Sequence, residues 1–338
     1  MAALEAVKGA VADKGFVPIL QHVLISGDSL LGYDSEIGIR HKLNTKFPTP
    51  FNVRADTLLN LLKNLEAEEL DIEVEDKKIH IACGSHKSTL TQITEEFPKP
   101  NVAIKSSDWR EVPAGFKEAL ERCLSAVSED ENNRALSAVF VAGDKVYGAD
   151  GQRAVRCAVE GMDLKPFLLP RNAVQELAKL GNPKRMVVAG GGGGNSIAFF
   201  DFLNLVFLAR LRDGTEYPQK MYDTLFESRT TEQAVPQGLG GAMARLSLFV
   251  DKENPKVRVE AKPLGMELSA RGGTSSAEEV LAPWEGPEFA LKGVNPAYVM
   301  DALVYAESMD WGARLQDPLY FTGEASGFEC LIAPMKAD

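Results

Sequence analysis

Residues 25–34 read ISGDSLLGYD, and residues 141–150 read VAGDKVYGAD. Glycine recurs at the third and eighth positions of both stretches, and aspartate recurs at the fourth and tenth. The stretches are 116 residues apart, and an arginine follows each at the same distance, as Arg40 and Arg156. Self-similarity at a long, fixed period is typical of a chain built from repeated domains rather than from a solenoid of short repeats.

Amphipathic helices recur with the same order. Apolar residues at helical spacing predict two helices in each third of the chain, at 2–12 and 53–65, at 115–127 and 169–180, and at 237–249 and 294–303. We expect Asp56, and Asn172 or Asn295, to cap helices near their starts, because short polar side chains accept hydrogen bonds from first-turn amides.

Hairpins follow the second helix of each third. Alternating apolar and polar residues predict strand pairs at 70–75 and 79–81, at 186–189 and 197–200, and at 319–321 and 328–332. The fold class is therefore α+β, with two helices packed on antiparallel sheets in each of three repeated domains. The predicted domains are residues 1–105, 106–228 and 229–338.

Composition narrows the functional class. The chain has 45% hydrophobic residues, 25% charged residues and a formal net charge of −11. This charge argues against a broadly basic nucleic-acid-binding surface, but it leaves open a protein that surrounds DNA with a locally basic lining. No apolar run is long enough to span a membrane and no signal peptide is recognisable, and the four cysteines form no C-x-x-C pair. We expect a cytoplasmic protein with reduced thiols and no membrane partner.

Several segments together resemble the bacterial DNA polymerase III beta subunit, the sliding clamp. Ala149–Arg153 reads ADGQR and is similar to that family's T-D-G-H-R loop, with Gln152 in place of histidine. Leu211–Gly214 is followed by Tyr217-Pro218, and Ala333–Lys336 resembles the family's M-P-M-R terminus. The matching segments occur in the family's order over nearly the whole chain.

The resemblance implies a ring formed by a head-to-tail homodimer of three-domain chains, with no catalytic site, cofactor or metal. Packed helices lie 8–10 Å apart, so twelve of them give a circumference of roughly 110 Å and a diameter of about 35 Å, wide enough for duplex DNA. The implied function is to encircle double-stranded DNA without reading its sequence and to tether the replicative DNA polymerase as a processivity factor. The implied partners are the polymerase and a clamp loader.

Three sets of residues follow from this resemblance. The candidate DNA-binding cations are Lys8, Lys14, Arg54, Lys63, Lys117, Arg122, Arg171, Lys179 and Arg245. The candidate partner-peptide groove contains Leu136, Gly151, Gln152, Arg153, Ala154, Pro218, Asn295, Tyr298, Leu331, Ala333, Pro334 and Met335. The candidate dimer interface contains Phe97, Leu248 and Phe249. The structural alternatives are solvated helix faces for the cations, ordinary core for the dimer residues, and a buried last strand for Leu331 and Ala333. Pro334 and Met335 are harder to explain as core.

Other functions are weaker interpretations of the sequence. A DNA replication or repair accessory protein could share the fold without encircling DNA, and a hydrolase could use the Asp- and Gly-rich loops. His80, Cys83 and His86 have an unusual spacing for a zinc site. The glycine run 190–194 lacks the G-K-[ST] ending of a phosphate-binding loop, so a hairpin tip is the preferred interpretation.

Overall fold

A computed structural model describes the chain in two compact units. The first unit consists of Met1–Val112 and Asn172–Asp213, and the second of Pro113–Arg171 and Gly214–Asp338. The described residues are all those of 1–338 except 16, 66–68, 101, 103, 192–194, 263–264, 285, 287, 313, 325–326 and 337–338. Part of the predicted glycine-rich hairpin tip at 190–194 lies outside the described residues.

The structure combines short helices with many strands. The helices are α1 (Ala2–Lys8), α2 (Ala55–Asn64), α3 (Phe116–Leu124), α4 (Arg171–Lys179), α5 (Gln219–Glu227), α6 (Leu239–Leu246) and α7 (Pro296–Leu303). The strands are β1 (His22–Tyr33), β2 (Ile37–Arg54), β3 (Asp71–Glu75), β4 (Lys78–Cys83), β5 (His86–Thr91), β6 (Arg110–Glu111), β7 (Ala138–Gly143), β8 (Lys145–Ala149), β9 (Arg153–Ala158), β10 (Leu164–Pro170), β11 (Arg185–Gly191), β12 (Asn195–Asp201), β13 (Leu205–Arg210), β14 (Arg212–Asp213), β15 (Gln233–Ala234), β16 (Val257–Lys262), β17 (Gly265–Gly272), β18 (Ser275–Leu281), β19 (Phe289–Val294), β20 (Ser308–Asp310), β21 (Leu319–Gly323) and β22 (Phe328–Ile332). Single 3₁₀ turns lie at Pro18–Gln21, Ser106–Asp108, Gly214–Glu216 and Ser247–Phe249.

Antiparallel sheets join strands that are distant in the chain. In the first unit, six strands follow the order β1-β2-β13-β12-β11-β6, and a separate sheet has the order β3-β4-β5. In the second unit, one sheet contains the run β10-β7-β8-β9-β22-β21-β20-β15, and another has the order β18-β17-β16-β19. The pairs β2–β13 and β9–β22 are both antiparallel, and each joins strands of two predicted domains.

Both copies of the repeated stretch form the same local backbone structure. Gly27 and Gly143 both have φ of +59°, a left-handed conformation that glycine adopts without steric cost. The carboxylates of Asp34 and Asp150 each accept hydrogen bonds from the backbone amides two and three residues later. These are Asx turns that close the loop before the next strand, so turn geometry explains the recurrence of Gly27 and Gly143 and of Asp34 and Asp150.

The second glycine of the repeat lets a helix approach the sheet. A Cβ on Gly32 would lie 2.7 Å from Val7 Cγ1 of α1, and a Cβ on Gly148 would lie 2.0 Å from the carbonyl oxygen of Cys123 in α3. Real Cβ atoms do not approach other heavy atoms this closely. The helix of each repeat therefore packs against a strand position that only glycine can occupy.

The predicted helices are present, each shorter than its sequence pattern. Asn295 caps α7, because its side chain accepts a hydrogen bond from the Ala297 amide at 3.0 Å. The prediction for Asp56 is wrong, since α2 begins one residue earlier and Asp56 lies inside its first turn. Helix α5 was not predicted. Every helix in the described part of the chain is too short or too polar to cross a lipid bilayer.

The packing at Gly148 gives a direct test of the fold. We expect Gly148→Ala to lower the free energy of unfolding by about 1–3 kcal/mol or more, since overpacking against a rigid helix backbone forces the sheet and α3 apart. Gly240→Ala is the matched control, because a Cβ there meets only Leu303 Cδ1 at 3.6 Å and alanine favours a helix. Urea unfolding measures both variants, and equal stability of the two would contradict this packing.

Candidate functional site

The end of the chain meets the ADGQR loop. Strand β22 pairs with β9 so that Leu331 lies opposite Ala154 and Ile332 lies opposite Arg153. One residue further, the amide of Ala333 donates a hydrogen bond of 2.7 Å to the carbonyl of Gln152. Residues that the sequence separates widely are therefore adjacent, and both belong to the second unit.

The tail after β22 is held from its other side by β19. Met335 and Gly293 exchange two backbone hydrogen bonds, of 2.8 and 3.2 Å. Lys256 Nζ donates to the carbonyl of Lys336 at 2.8 Å. A Cβ on Gly293 would lie 2.8 Å from the Met335 oxygen, so only glycine permits this approach. The tail is thus a short strap with Pro334 at its centre.

An apolar cluster lies under the strap. Ala154 and Leu331 are buried, and Leu136 is partly buried against the same cluster. Their neighbours are aromatic, and the rings of Phe140 and Tyr217 stack with centroids 4.5 Å apart. Pro218 follows Tyr217 and is exposed at the start of α5.

A polar rim surrounds this apolar patch. The Arg153 guanidinium lies over the Tyr298 ring, 4.1 Å from its centroid, and donates to Asp301 Oδ2 at 2.6 Å. It also donates to Asp150 Oδ2 at 3.3 Å. The Tyr298 hydroxyl donates to Gln152 Oε1 at 3.3 Å. These contacts join α7 to the ADGQR loop. We call this set of apolar floor, polar rim and strap the tail site; its residues are Leu136, Gly151–Ala154, Pro218, Asn295, Tyr298, Leu331 and Ala333–Met335.

A buried ion network joins the two strands that carry the tail site. Arg156 is 6% exposed, and its guanidinium pairs with Glu329 at 2.6 Å and with Asp223 at 3.0 Å. Burial lowers the pKa of Arg156, but the hydrogen bonds to Glu329 and Asp223 outweigh it and raise the pKa overall. The Tyr147 hydroxyl donates to Asp223 at 2.9 Å. The network ties β9 to β22 and to α5.

Several of these contributors carry no recognisable signal in the sequence. Asp301 and Gly293 carry no motif, and Asp223 lies on the helix that was not predicted. Arg156 was visible only as the arginine of the internal repeat, and nothing in one sequence shows that it is buried whereas Arg40, its counterpart, is exposed.

The arrangement has close structural relatives. Residues 1–102 match the family model described as DNA polymerase III beta subunit, N-terminal domain. Over 99% of its length the chain is similar to a DNA polymerase sliding clamp from Pseudomonas aeruginosa, with a TM-score of 0.85, 20% identity and 96% of that chain covered. It is similar over the same 99% to the beta subunits of Thermotoga maritima (TM-score 0.82, 21% identity, 96% of that chain) and Streptococcus pyogenes (TM-score 0.83, 18% identity, 97% of that chain).

The chain has the sliding-clamp fold of the DNA polymerase III beta subunit. The resemblance predicted from the sequence is confirmed, as is the fold class of short helices on antiparallel sheets. A length of 338 residues fits three clamp domains, and the boundaries 1–105, 106–228 and 229–338 stay a prediction.

The nine candidate DNA-binding cations lie on or near the helices of the clamp fold. Lys8, Lys63, Lys117, Arg171, Lys179 and Arg245 form ion pairs with carboxylates of the same chain. The Arg122 guanidinium lies 5.1 Å from the centroid of the Tyr305 ring. Lys14 and Arg54 are exposed and form no ion pair among the described residues. Their contacts with DNA stay a prediction.

The three candidate dimer residues have different surroundings. Phe97 is buried in the first unit's core with Ile19 and Leu24, which favours its structural alternative. Leu248 is 80% exposed, and Phe249 is half-buried beside it in the same 3₁₀ turn. A large apolar side chain with this exposure is the better candidate for a protein contact.

The hairpin β4–β5 does not bring the three candidate metal ligands, His80, Cys83 and His86, onto one face. Cys83 lies opposite His86, and His80 lies opposite Thr89, whose hydroxyl is 3.0 Å from His80 Nδ1. Alternate strand residues point to opposite faces, so His80 and Cys83 face away from each other. Among the described residues, no group of three or more His, Cys, Asp or Glu side chains could hold a metal ion.

Buried tyrosines around the tail site predict a loss of stability at alkaline pH. Burial raises the pKa of Tyr147, Tyr217, Tyr222, Tyr298 and Tyr320 above the ordinary value near 10. Above about pH 10 the unfolded chain releases protons that the native state keeps, so the free energy of unfolding falls as the pH rises further. Tyrosinate absorbance should increase together with unfolding in the native protein. In the urea-unfolded chain, tyrosinate absorbance should increase near pH 10. The same absorbance midpoint in the native and the urea-unfolded protein would contradict the burial of these tyrosines.

Proposed function

We propose that the chain is a DNA sliding clamp, which closes as a homodimeric ring around duplex DNA and tethers the replicative polymerase. The observation that carries the proposal is the repeated use of one strand pairing. The third strand of a small sheet pairs with a strand of the preceding repeat, as β13 with β2 and β22 with β9.

Two strands that occupy equivalent positions in this pattern, β18 and β5, do not form the equivalent pairing within the chain. By order in the repeats, β18 corresponds to β2 and β9, and β5 corresponds to β13 and β22. Both β18 and β5 are terminal strands of their sheets, and each has one edge that pairs with no strand among the described residues. Open edges invite pairing with another chain. Pairing β18 of one chain with β5 of a second, and the reverse, closes a head-to-tail ring of two chains.

The side chains at these edges are compatible with that pairing. Strand β18 carries Glu278 and Glu279, whereas β5 carries His86 and Lys87. Val280 on β18 is 62% exposed, near the 3₁₀ turn that holds Leu248. Exposed apolar groups beside complementary charges favour a specific protein interface.

The tail site suits short partner peptides. Its apolar floor fits a leucine or aromatic anchor, and Gln152, Arg153 and the strap supply polar groups at the rim. We therefore propose that polymerase and clamp-loader peptides bind there. Such a clamp requires no catalytic residues or cofactor, contacts DNA without regard to sequence, and acts in the cytoplasm.

The ring interface can be tested by charge. We expect Leu248→Asp with Val280→Asp to convert a dimer of twice the 36.7 kDa chain mass into soluble monomers, because a buried unpaired carboxylate opposes association. The matched control is Leu203→Asp with Leu315→Asp, since both leucines are exposed but lie elsewhere. Light scattering at low micromolar concentration distinguishes the outcomes. A wild-type monomer would support the accessory protein that does not encircle DNA.

The peptide site can be tested without touching its rim. We expect deletion of residues 334–338, and separately Gly293→Ala, to weaken binding of a leucine- and phenylalanine-containing polymerase peptide at least about tenfold, since each change displaces the strap. Gly240→Ala serves as the glycine control. Fluorescence titration measures affinity and light scattering confirms that the dimer is intact. Unchanged affinity in both strap variants would refute this location.

A further inference from the structure

In two of the three repeats, a short strand covers the outer edge of the sheet that follows the second helix. Strand β6, directly before α3, pairs antiparallel with β11, and β15, directly before α6, pairs antiparallel with β20. One further backbone hydrogen bond extends each pairing, from the Val112 amide to the Lys184 carbonyl at 3.0 Å and from the Val235 amide to the Glu307 carbonyl at 3.1 Å. Both repeats therefore satisfy this edge in the same way.

The corresponding strand of the first repeat has no such cover. Strand β3 corresponds to β11 and β20, since each is the first strand after the second helix of its repeat. On one side β3 pairs with β4, but its outer edge pairs with no strand among the described residues. The proposed ring uses β5, at the other end of the same sheet. The outer amides and carbonyls of β3 are thus left to water or to another chain.

One face of β3 is acidic at this edge. Asp71, Glu73 and Glu75 alternate along the strand, share one face and are all exposed. Strand β4 supplies only His80 opposite Glu73 and Lys78 opposite Glu75. Within the described part of the chain, Asp71 and Glu73 form no ion pair, and Glu75 lies 4.0 Å from His80. The negative charge is therefore only partly balanced from inside the sheet.

The other face of β3 is apolar. Ile72 lies opposite Ile81, and Val74 lies opposite Ile79, and both isoleucines of β4 are buried. Ile72 and Val74 themselves are only half-buried, because the apolar face ends with their strand. An added strand with apolar residues opposite them would bury the remaining surface.

The charge of the edge selects the kind of strand that fits it. In an antiparallel pair of two β3 strands, centred on Glu73, every acid would lie opposite another acid, which is unfavourable. Acidic side chains along an edge strand thus oppose pairing with a second copy of this chain. Lysine or arginine at the same positions of an added strand would instead form favourable cross-strand pairs.

We propose that the outer edge of β3 binds an extended basic segment of a partner protein as an added antiparallel strand. The segment has lysine or arginine alternating with apolar residues, so that its cations lie opposite the acids and its apolar residues lie opposite Ile72 and Val74. Main-chain hydrogen bonds provide affinity, and the alternating side chains provide specificity. The proposal goes beyond the clamp function and does not depend on it, since the ring leaves this edge free.

Synthetic peptides test the strand addition. The probe is a labelled peptide of alternating lysine and valine. One control has the same composition with its lysines and valines in separate blocks, and another has an N-methylated backbone. We expect the alternating peptide to bind at least about tenfold more tightly than either control, because only it combines backbone donors with alternating side chains. Equal affinities in a fluorescence anisotropy titration would indicate charge attraction alone and would overturn the proposal.

Charge reversal tests the assigned edge. We expect Asp71→Lys with Glu73→Lys to weaken binding of the lysine–valine peptide at least about tenfold and to create affinity for a glutamate–valine peptide. The matched control is Glu160→Lys with Glu253→Lys, which are exposed acids of the second unit with the same total charge change. Equal weakening in both double variants, or none in the β3 variant, would overturn the proposal.

Hydrogen exchange on the wild-type protein locates the bound peptide and separates this inference from the proposed function. We expect the alternating peptide to slow amide exchange in β3. Slowing confined to β5 or β18, with loss of the dimer, would place the peptide at the proposed ring edges and would overturn the inference. Slowing in β3 of a protein that is monomeric without peptide would contradict the ring and support the inference.

Discussion

Everything in this molecule depends on one type of backbone pairing, the antiparallel junction between a strand of one repeat and a strand of the next. The junction β9–β22 carries the tail site, because it sets Leu331 against Ala154 and brings the strap to Gln152. The equivalent junction β2–β13 completes the six-stranded sheet of the first unit. Since backbone groups at a strand edge must be paired or hydrated, a chain of such repeats necessarily has an open edge at each end. The proposed ring follows from satisfying both edges at once.

The charged groups divide into two roles at these junctions. Arg156 is buried and held by Glu329 and Asp223, so removing any one member would leave an uncompensated charge away from water. Arg153, nearer the surface, holds Tyr298 and Asp301 and thereby positions α7 against the ADGQR loop. The floor of the tail site is therefore held by a buried network, whereas its rim and strap are more exposed. In the proposed clamp, such a division would suit a surface that accepts several partner peptides in turn.

Much of the fold could be predicted because the residues that packing and turn geometry require recur at equivalent positions of the repeat. Gly32 and Gly148 recur because a helix touches the backbone there, and Asp34 and Asp150 recur because each closes the same turn. The tail-site residues were predicted from resemblance, and the structure places the ADGQR loop, Tyr298 and the strap next to one another, while their binding of a peptide stays a prediction. The ion pairs of Lys8 and Arg245 were not predictable, since a lysine on a helix face has the same sequence pattern whether its neighbour is a phosphate or Asp56. Phe97 shows the same limit, because an apolar residue after a strand can serve a core or an interface.

The most direct test of the central claim is the response of the bound protein to cutting the DNA. Protein placed on a nicked circular plasmid by a clamp loader would be isolated by gel filtration, and the plasmid would then be linearised with a single-cutting restriction enzyme. An enclosing ring predicts stable co-elution with the circle and prompt loss of the protein once free ends exist. Protein that remains on the linear product would contradict enclosure, and so would protein that is never retained on the circle.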